Sequence, residues 1–199
     1  MDPNPVNQLL AELDTVPLNT SLSRGLRVAQ KLDDKSLEKW IRLESVGYYG
    51  SNPAMTDDVK VPEYRSVPGQ RVNQYGQVMR VPEKLDFVNI TRLRNPVVEL
   101  EQLQGTNGWI TCQDPSASEM IRQYMQVDVE FFQFTAVHLA GLLNEVKIRL
   151  SDQLVPLEAK SSAVDWAVPR NEGDIVELKP NFLGLGIDLR ALWRRLSKG

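Results

Sequence analysis

The chain of 199 residues carries 23 Lys and Arg against 26 Asp and Glu, with an apolar share of 42%. It is long enough to bury one real core, and at a net charge of −3 it is too close to neutral to coat nucleic-acid phosphates as a whole. Its single cysteine, Cys112, excludes an intrachain disulfide and a cysteine-built zinc site.

The opening residues, Met1 to Leu13, have neither a basic leader region nor a long apolar run, and no segment approaches the length of a bilayer span. A soluble, cytoplasmic protein is expected. Asn7–Leu13 reads as a short helix with Leu9, Leu10 and Leu13 on one side. Pro17 breaks the chain, and Asn19 or Thr20 is the expected N-cap of a second helix bearing the stripe Leu22, Leu26, Ala29 and Leu32. Asp33 or Asp34 then caps a third helix with Leu37, Trp40 and Ile41 on its apolar face, and Gly47 ends it. The short connection predicts that the second and third helices pack as an antiparallel hairpin.

Residues Ser51–Lys60 are polar and form a loop. Val61–Ile90 has no helical period; its prolines and its Tyr75-Gly76 turn between Val72 and Val78 predict extended segments and a β-hairpin. A helix is expected from Pro96, with Val97, Val98, Leu100 and Leu103 in phase. Trp109–Cys112 reads as extended, and Asp114-Pro115-Ser116 opens a helix in which Ser116 and Glu119 fit a capping box. Val127–Phe134 is β-branched and aromatic, as in a strand. Thr135 is the expected cap of the longest helix, Ala136 to about Lys160, with Pro156 ending or kinking it. Ser161–Pro180 is a linker by composition. The segment from Phe182 places Arg190, Arg194, Arg195 and Lys198 against Asp188, with Leu189, Leu192, Trp193 and Leu196 on one face. The chain thus pairs an acidic body with a basic amphipathic tail.

Several of these pieces, in this order, resemble the AbiTii domain family. They are the helix SLSRGLRVAQKL, the Trp40 helix with Glu44 one turn on, Gly47-Tyr48, and then Pro62, Tyr64 and Arg65. Arg80-Val81-Pro82 follows where the family often has an Ile-Pro step. NPVVELEQL is similar to a family helix, and LAGLLNEVKIRLSDQLVPLE to its closing helix. The resemblance covers about Asn7 to Lys160 and implies a component of a bacterial abortive-infection system. It carries over no catalytic residues. The expected fold is mainly α, a helical hairpin packed on longer C-terminal helices with a small extended or β-hairpin segment. Residues 1–160 form the AbiTii-like helical domain, 161–181 the linker and 182–199 the basic amphipathic helix.

Glu44 lies four residues after Trp40, toward the neighbouring helix, and a buried carboxylate there needs a partner. Arg24 and Arg65 are the candidate cations, with Tyr48 and Tyr64 as hydrogen-bonding neighbours. The group reads either as a polar ligand pocket at a helix-to-loop junction or as an ion pair pinning the loop down. His138 stands among apolar neighbours, which suits a helix surface better than a general base. Cys112 reads as a small buried apolar residue. Asp33-Asp34 and Asp57-Asp58 lack a third ligand at metal-binding spacing, and Gly184 and Gly186 lack the Lys and Ser or Thr of a phosphate loop.

The tail, through Trp193 and Arg194, could dock on a partner, fold back on its own domain or lie on an anionic membrane. The first two outrank the third, and the acidic body disfavours nucleic acid. The expectation is a module without catalysis, metal or cofactor that recognises a partner protein, such as a neighbour-encoded defence effector. Its binding residues would be Arg24, Glu44, Tyr48, Tyr64, Arg65, Trp193 and Arg194. The alternatives are a directly toxic effector such as an RNase, and a self-assembling structural subunit forming a homo-oligomer.

Overall fold

A computed structural model of the chain describes residues 4–81 and 83–166. The predicted linker beyond Trp166 and the C-terminal basic helix lie outside the described residues. The fold is mainly α with a minor antiparallel β component. Helix α1 spans Pro5–Glu12, α2 Leu18–Leu32, α3 Lys35–Val46, α4 Val97–Gln104, α5 Pro115–Met125, α6 Val137–Leu154 and α7 Glu158–Ser162. The strands are β1 Ser66–Pro68, β2 Gln70–Val72, β3 Ile90–Arg92, β4 Trp109–Gln113 and β5 Phe131–Thr135.

The apolar periods explain the core. Leu139, Leu142, Leu143, Val146, Leu150 and Leu154 recur at helical spacing along α6 and are all buried. This stripe packs against α4 and α2, and α2 in turn packs against α3, α1 and α4. Leu9, Leu22, Ile41 and Leu100 fill the space between them. Each fully buried leucine contributes roughly 1.5–3 kcal/mol over an exposed one. A second, smaller cluster of Val88, Ile121 and Val129 seats α5, with Met79, Val81 and Met125 around it.

Several helix ends differ from expectation, and at α2 a tertiary group replaced the local cap. Helix α1 begins two residues early, where Asn4 Oδ1 accepts from the Val6 amide at 2.9 Å. Helix α2 starts at Leu18, so Asn19 and Thr20 lie inside it and neither is its cap. The Glu101 carboxylate of α4 accepts instead from the amides of Leu18 (2.7 Å) and Asn19 (3.2 Å). A distant acid thus supplies both the acceptor and the negative charge that a helix N-terminus favours. Of the two aspartates between α2 and α3, Asp34 is the cap, accepting from Leu37, while Asp33 takes a left-handed conformation at φ 57°.

Helix α5 is capped by Asp114 rather than Ser116, since the Ala117 amide reaches Asp114 Oδ1 at 3.3 Å. Thr135 does not cap α6; it is the last residue of β5. That strand is Phe131–Thr135, shorter and later than Val127–Phe134. Helix α6 stops at Leu154, where a 3-10 turn over Val155–Leu157 accommodates Pro156 before α7. Ser161 is buried in α7, so the predicted linker's first residues are helical.

The strands form two antiparallel sheets, β1-β3 and β2-β5-β4. The Tyr75-Gly76 turn is present: Val72 bridges Val78, and the Met79 amide donates to the Arg71 carbonyl. Between β1 and β2 the chain leaves one sheet for the other at Gly69. A Cβ there would stand 2.2 Å from the Gln133 carbonyl oxygen and 2.5 Å from the Phe132 ring, so only glycine allows the crossing.

Candidate functional site

Helix α3 sets the first polar centre. Trp40 and Glu44 lie one turn apart, and Gly47 closes the helix at φ 89°, donating its amide to the Leu43 carbonyl. A Cβ on Gly47 would sit 2.6 Å from the Arg94 carbonyl oxygen, and the next amide, Tyr48, donates to that same oxygen at 2.8 Å. The reversal swings Tyr48 back along α3, where its hydroxyl donates to Glu44 Oε1 at 2.6 Å. Asn52 holds the reversal from the other side, donating to the carbonyls of Gly47 (2.7 Å) and Arg42 (3.2 Å).

A 3-10 turn over Glu63–Arg65 brings in the other two members. The Tyr64 hydroxyl also donates to Glu44 Oε1 at 2.6 Å, and Trp40 Nε1 donates to the Tyr64 oxygen at 3.1 Å. Arg65 faces the second carboxylate oxygen, Nη2 to Oε2 3.4 Å, while its Nη1 donates to the carbonyls of Leu93 (3.3 Å) and Asn95 (3.0 Å). Its guanidinium lies 4.9 Å over the Tyr48 ring. Both Glu44 and Arg65 are 0% exposed. The cluster therefore fastens the end of α3, the 3-10 turn and the segment 93–95 to one another. Toward solvent it is bordered by half-buried Trp40 and Tyr64 and by exposed Arg149 of α6, whose guanidinium stacks 4.2 Å over the Tyr64 ring.

Burial, then the Glu44 charge and its hydrogen bond, push the Tyr64 phenol up to about 12, and the same causes raise Tyr48 further. A phenol whose value is raised by folding keeps its stabilising contribution below the ordinary value near 10 and loses it as the pH rises through the folded value. Alkaline titration followed by tyrosinate absorbance is therefore expected to show a late step near pH 12 from Tyr64. Stability should fall as the pH rises from the ordinary phenol value near 10 through that step. Loss of the late step in a folded Tyr64→Phe variant is the confirming result; an unchanged titration would contradict the assignment.

Among the predicted residues, the structure brings Glu44, Tyr48, Tyr64 and Arg65 together. Arg24 is not part of the group: it pairs with Glu12 of α1 at the surface. It projects from α2 toward α1, whereas Glu44 takes its cation from the 3-10 turn. Trp193 and Arg194 lie outside the described residues. His138 is exposed at the start of α6. Cys112 is half-buried, and burial, then the Asp114 charge, push its thiol up to about 11, away from the thiolate a nucleophile needs. Among the described residues, no group of three or more His, Cys, Asp or Glu side chains is placed to hold a metal ion.

A second polar centre was not foreseen. Arg71 of β2 is 1% exposed; its Nε donates to the Val88 carbonyl at 2.8 Å and its Nη2 to Thr91 Oγ1 and Asp114 Oδ2, each at 2.9 Å. Thr91 donates to the same Asp114 oxygen at 2.9 Å, and the guanidinium lies 4.7 Å over the Phe132 ring. Burial pushes the Asp114 carboxyl up, but hydrogen bonds from Arg71 and Thr91 and the guanidinium charge outweigh it and hold the group below the usual range. Only the Asp114-Pro115 helix opening hinted at this centre; Arg71 and Thr91 meet it through the register of β2 against β5 and β1 against β3.

The family model described as AbiTii matches residues 8–172. Neither the curated proteins nor the solved structures include a significant match to the chain.

Proposed function

The chain belongs to the AbiTii family, whose name points to bacterial abortive-infection defence, and from that premise we propose that it is a recognition module of such a system and not its enzyme. The observation that carries this reading is the closure of the Glu44–Arg65 centre. Glu44 faces Arg65 and accepts from the Tyr48 and Tyr64 hydroxyls, Arg65 also donates to two backbone carbonyls, and both charged side chains are fully buried. A general acid or base must reach a substrate proton. A closed ion pair instead holds a surface in shape, and here that surface is the border of Trp40, Tyr64 and Arg149. Aromatic and arginine side chains are the residue types that most often anchor protein interfaces. Glu44, Tyr48 and Arg65 set the shape of this border, and Tyr64 contacts the partner protein. The same reading gives Trp193 and Arg194 of the tail a share of that contact. No described helix is long and apolar enough to cross a membrane.

Expression of the full chain alone in bacteria is expected to leave growth unchanged, with protection against phage appearing only beside its neighbour-encoded partner. The double variant Tyr64→Ala, Arg149→Ala should weaken that partner's binding about tenfold or more, the equivalent of 1.4 kcal/mol, while retaining its fold. Growth arrest by the chain alone, abolished by one folded Glu, Asp, Arg or Tyr variant, would replace this reading with that of a toxic effector.

A further inference from the structure

We propose that β4 is a homodimer edge, pairing antiparallel with β4 of a second copy so that the sheet β2-β5-β4 continues across a two-fold axis at Thr111. In the three-stranded sheet the order β2-β5-β4 leaves β4 on the outside. The opposite edge, β2, is covered by the returning segment that bridges Val72 to Val78. The strands of the other sheet are three residues long, and they carry Pro68 and Arg92, both of which discourage further pairing. By contrast β4 runs for five residues, Trp-Ile-Thr-Cys-Gln, without charge, proline or glycine. Among the described residues no backbone group bonds to its outer side. An edge of this kind presents unpaired amides and carbonyls to any strand that can match it.

Two features select a second copy as that strand. The first is a ladder of side chains across the outer face of the sheet: Gln70 Nε2 donates to Gln133 Oε1 at 3.2 Å, and Gln133 Nε2 donates to Thr111 Oγ1 at 3.3 Å. It ends at the middle residue of the edge strand, where the Thr111 hydroxyl still has a proton to give. Thr111 of a second copy, directly opposite, would accept it and carry the ladder on, a cross-strand Thr–Thr pair of the kind that stabilises sheets. The second is self-complementarity. With Thr111 on the axis, Trp109 faces Gln113 of the other copy and Ile110 faces Cys112, and each pair is repeated by symmetry. The chain is net acidic, yet this register brings no like charges together. Trp109, 53% exposed, gains a neighbour.

The inference is independent of the partner reading, since the border of Tyr64 and Arg149 lies on other elements. Its test is light scattering with size-exclusion chromatography on the full chain. The wild type is expected at twice 22.5 kDa. Thr111→Lys and Thr111→Glu, each placing like charges on the axis at an exposed position, should run as folded monomers, and mixing them should restore the dimer. Thr111→Cys in a Cys112→Ser background should form an interchain disulfide under mild oxidation. A monomeric wild type, or a dimer unaffected by Thr111→Lys, would overturn the proposal.

Discussion

Replacing Glu44 with glutamine is expected to lower the free energy of unfolding by about 3–5 kcal/mol, a large fraction of what a domain of this size holds. Glutamine keeps the volume and an oxygen for the two phenols, so little packing is lost. What it removes is the charge facing Arg65, which is fully buried and has only the carbonyls of Leu93 and Asn95 in reserve. An uncompensated cation is then left in the interior, and that penalty exceeds the worth of the pair itself. Tyr48→Phe deletes one hydrogen bond to a charged group and should cost about 1.5–3 kcal/mol. Combining Glu44→Gln with Arg65→Met should cost less than the sum of the two single changes, because the second relieves the first. Urea midpoints at constant slope measure all of these. A Glu44→Gln protein within about 0.5 kcal/mol of wild type would mean that the pair contributes nothing.

Asp114→Asn should cost about 2–3 kcal/mol, below the roughly 3–5 kcal/mol of a fully buried pair because Asp114 keeps 23% of its side-chain exposure. Asparagine still caps α5, so the loss isolates the Arg71 pair. Asp114→Ala also forfeits the cap and should cost about 1 kcal/mol more. The pH dependence separates the two roles. Folding lowers the Asp114 value, so its contribution is complete above the ordinary value of 3.8 and fades as the pH falls through the folded one. The wild type should therefore lose stability below about pH 4 more steeply than Asp114→Asn. Parallel acid profiles for the two proteins would show that Asp114 acts only as a cap.

The helices were legible because burial imposes a period. The stripes of α2 and α6, the turn at Tyr75-Gly76, the stop at Gly47 and the Asp34 cap all follow from residues within one or two turns of each other. The Glu44 centre was half legible: a carboxylate one turn after Trp40 asked for a partner, and Tyr48, Tyr64 and Arg65 stood close enough in sequence to answer. Arg24 looked equally suited, since charge and spacing alone do not say toward which neighbour a helix turns its polar side. The caps of α2 and α5 went elsewhere for a related reason. Glu101 reaches Leu18 from more than eighty residues away, and Asp114 claims the Ala117 amide while also holding Arg71.

By itself the sequence determined that the chain is mainly helical, that it carries the ordered AbiTii pattern, and that the acid one turn after Trp40 on α3 called for aromatic and arginine partners. Those properties depend on apolar periodicity and on chemistry between near neighbours. The tertiary structure alone decided which cation Glu44 would keep, that Arg71 would be buried over Phe132 between two strands and a helix cap, and that β4 would lie at an open edge. Each of these is set by strand register and helix packing. A shift of one residue in the pairing of β2 with β5 would turn Arg71 to the opposite face, and no local pattern in the chain records that choice.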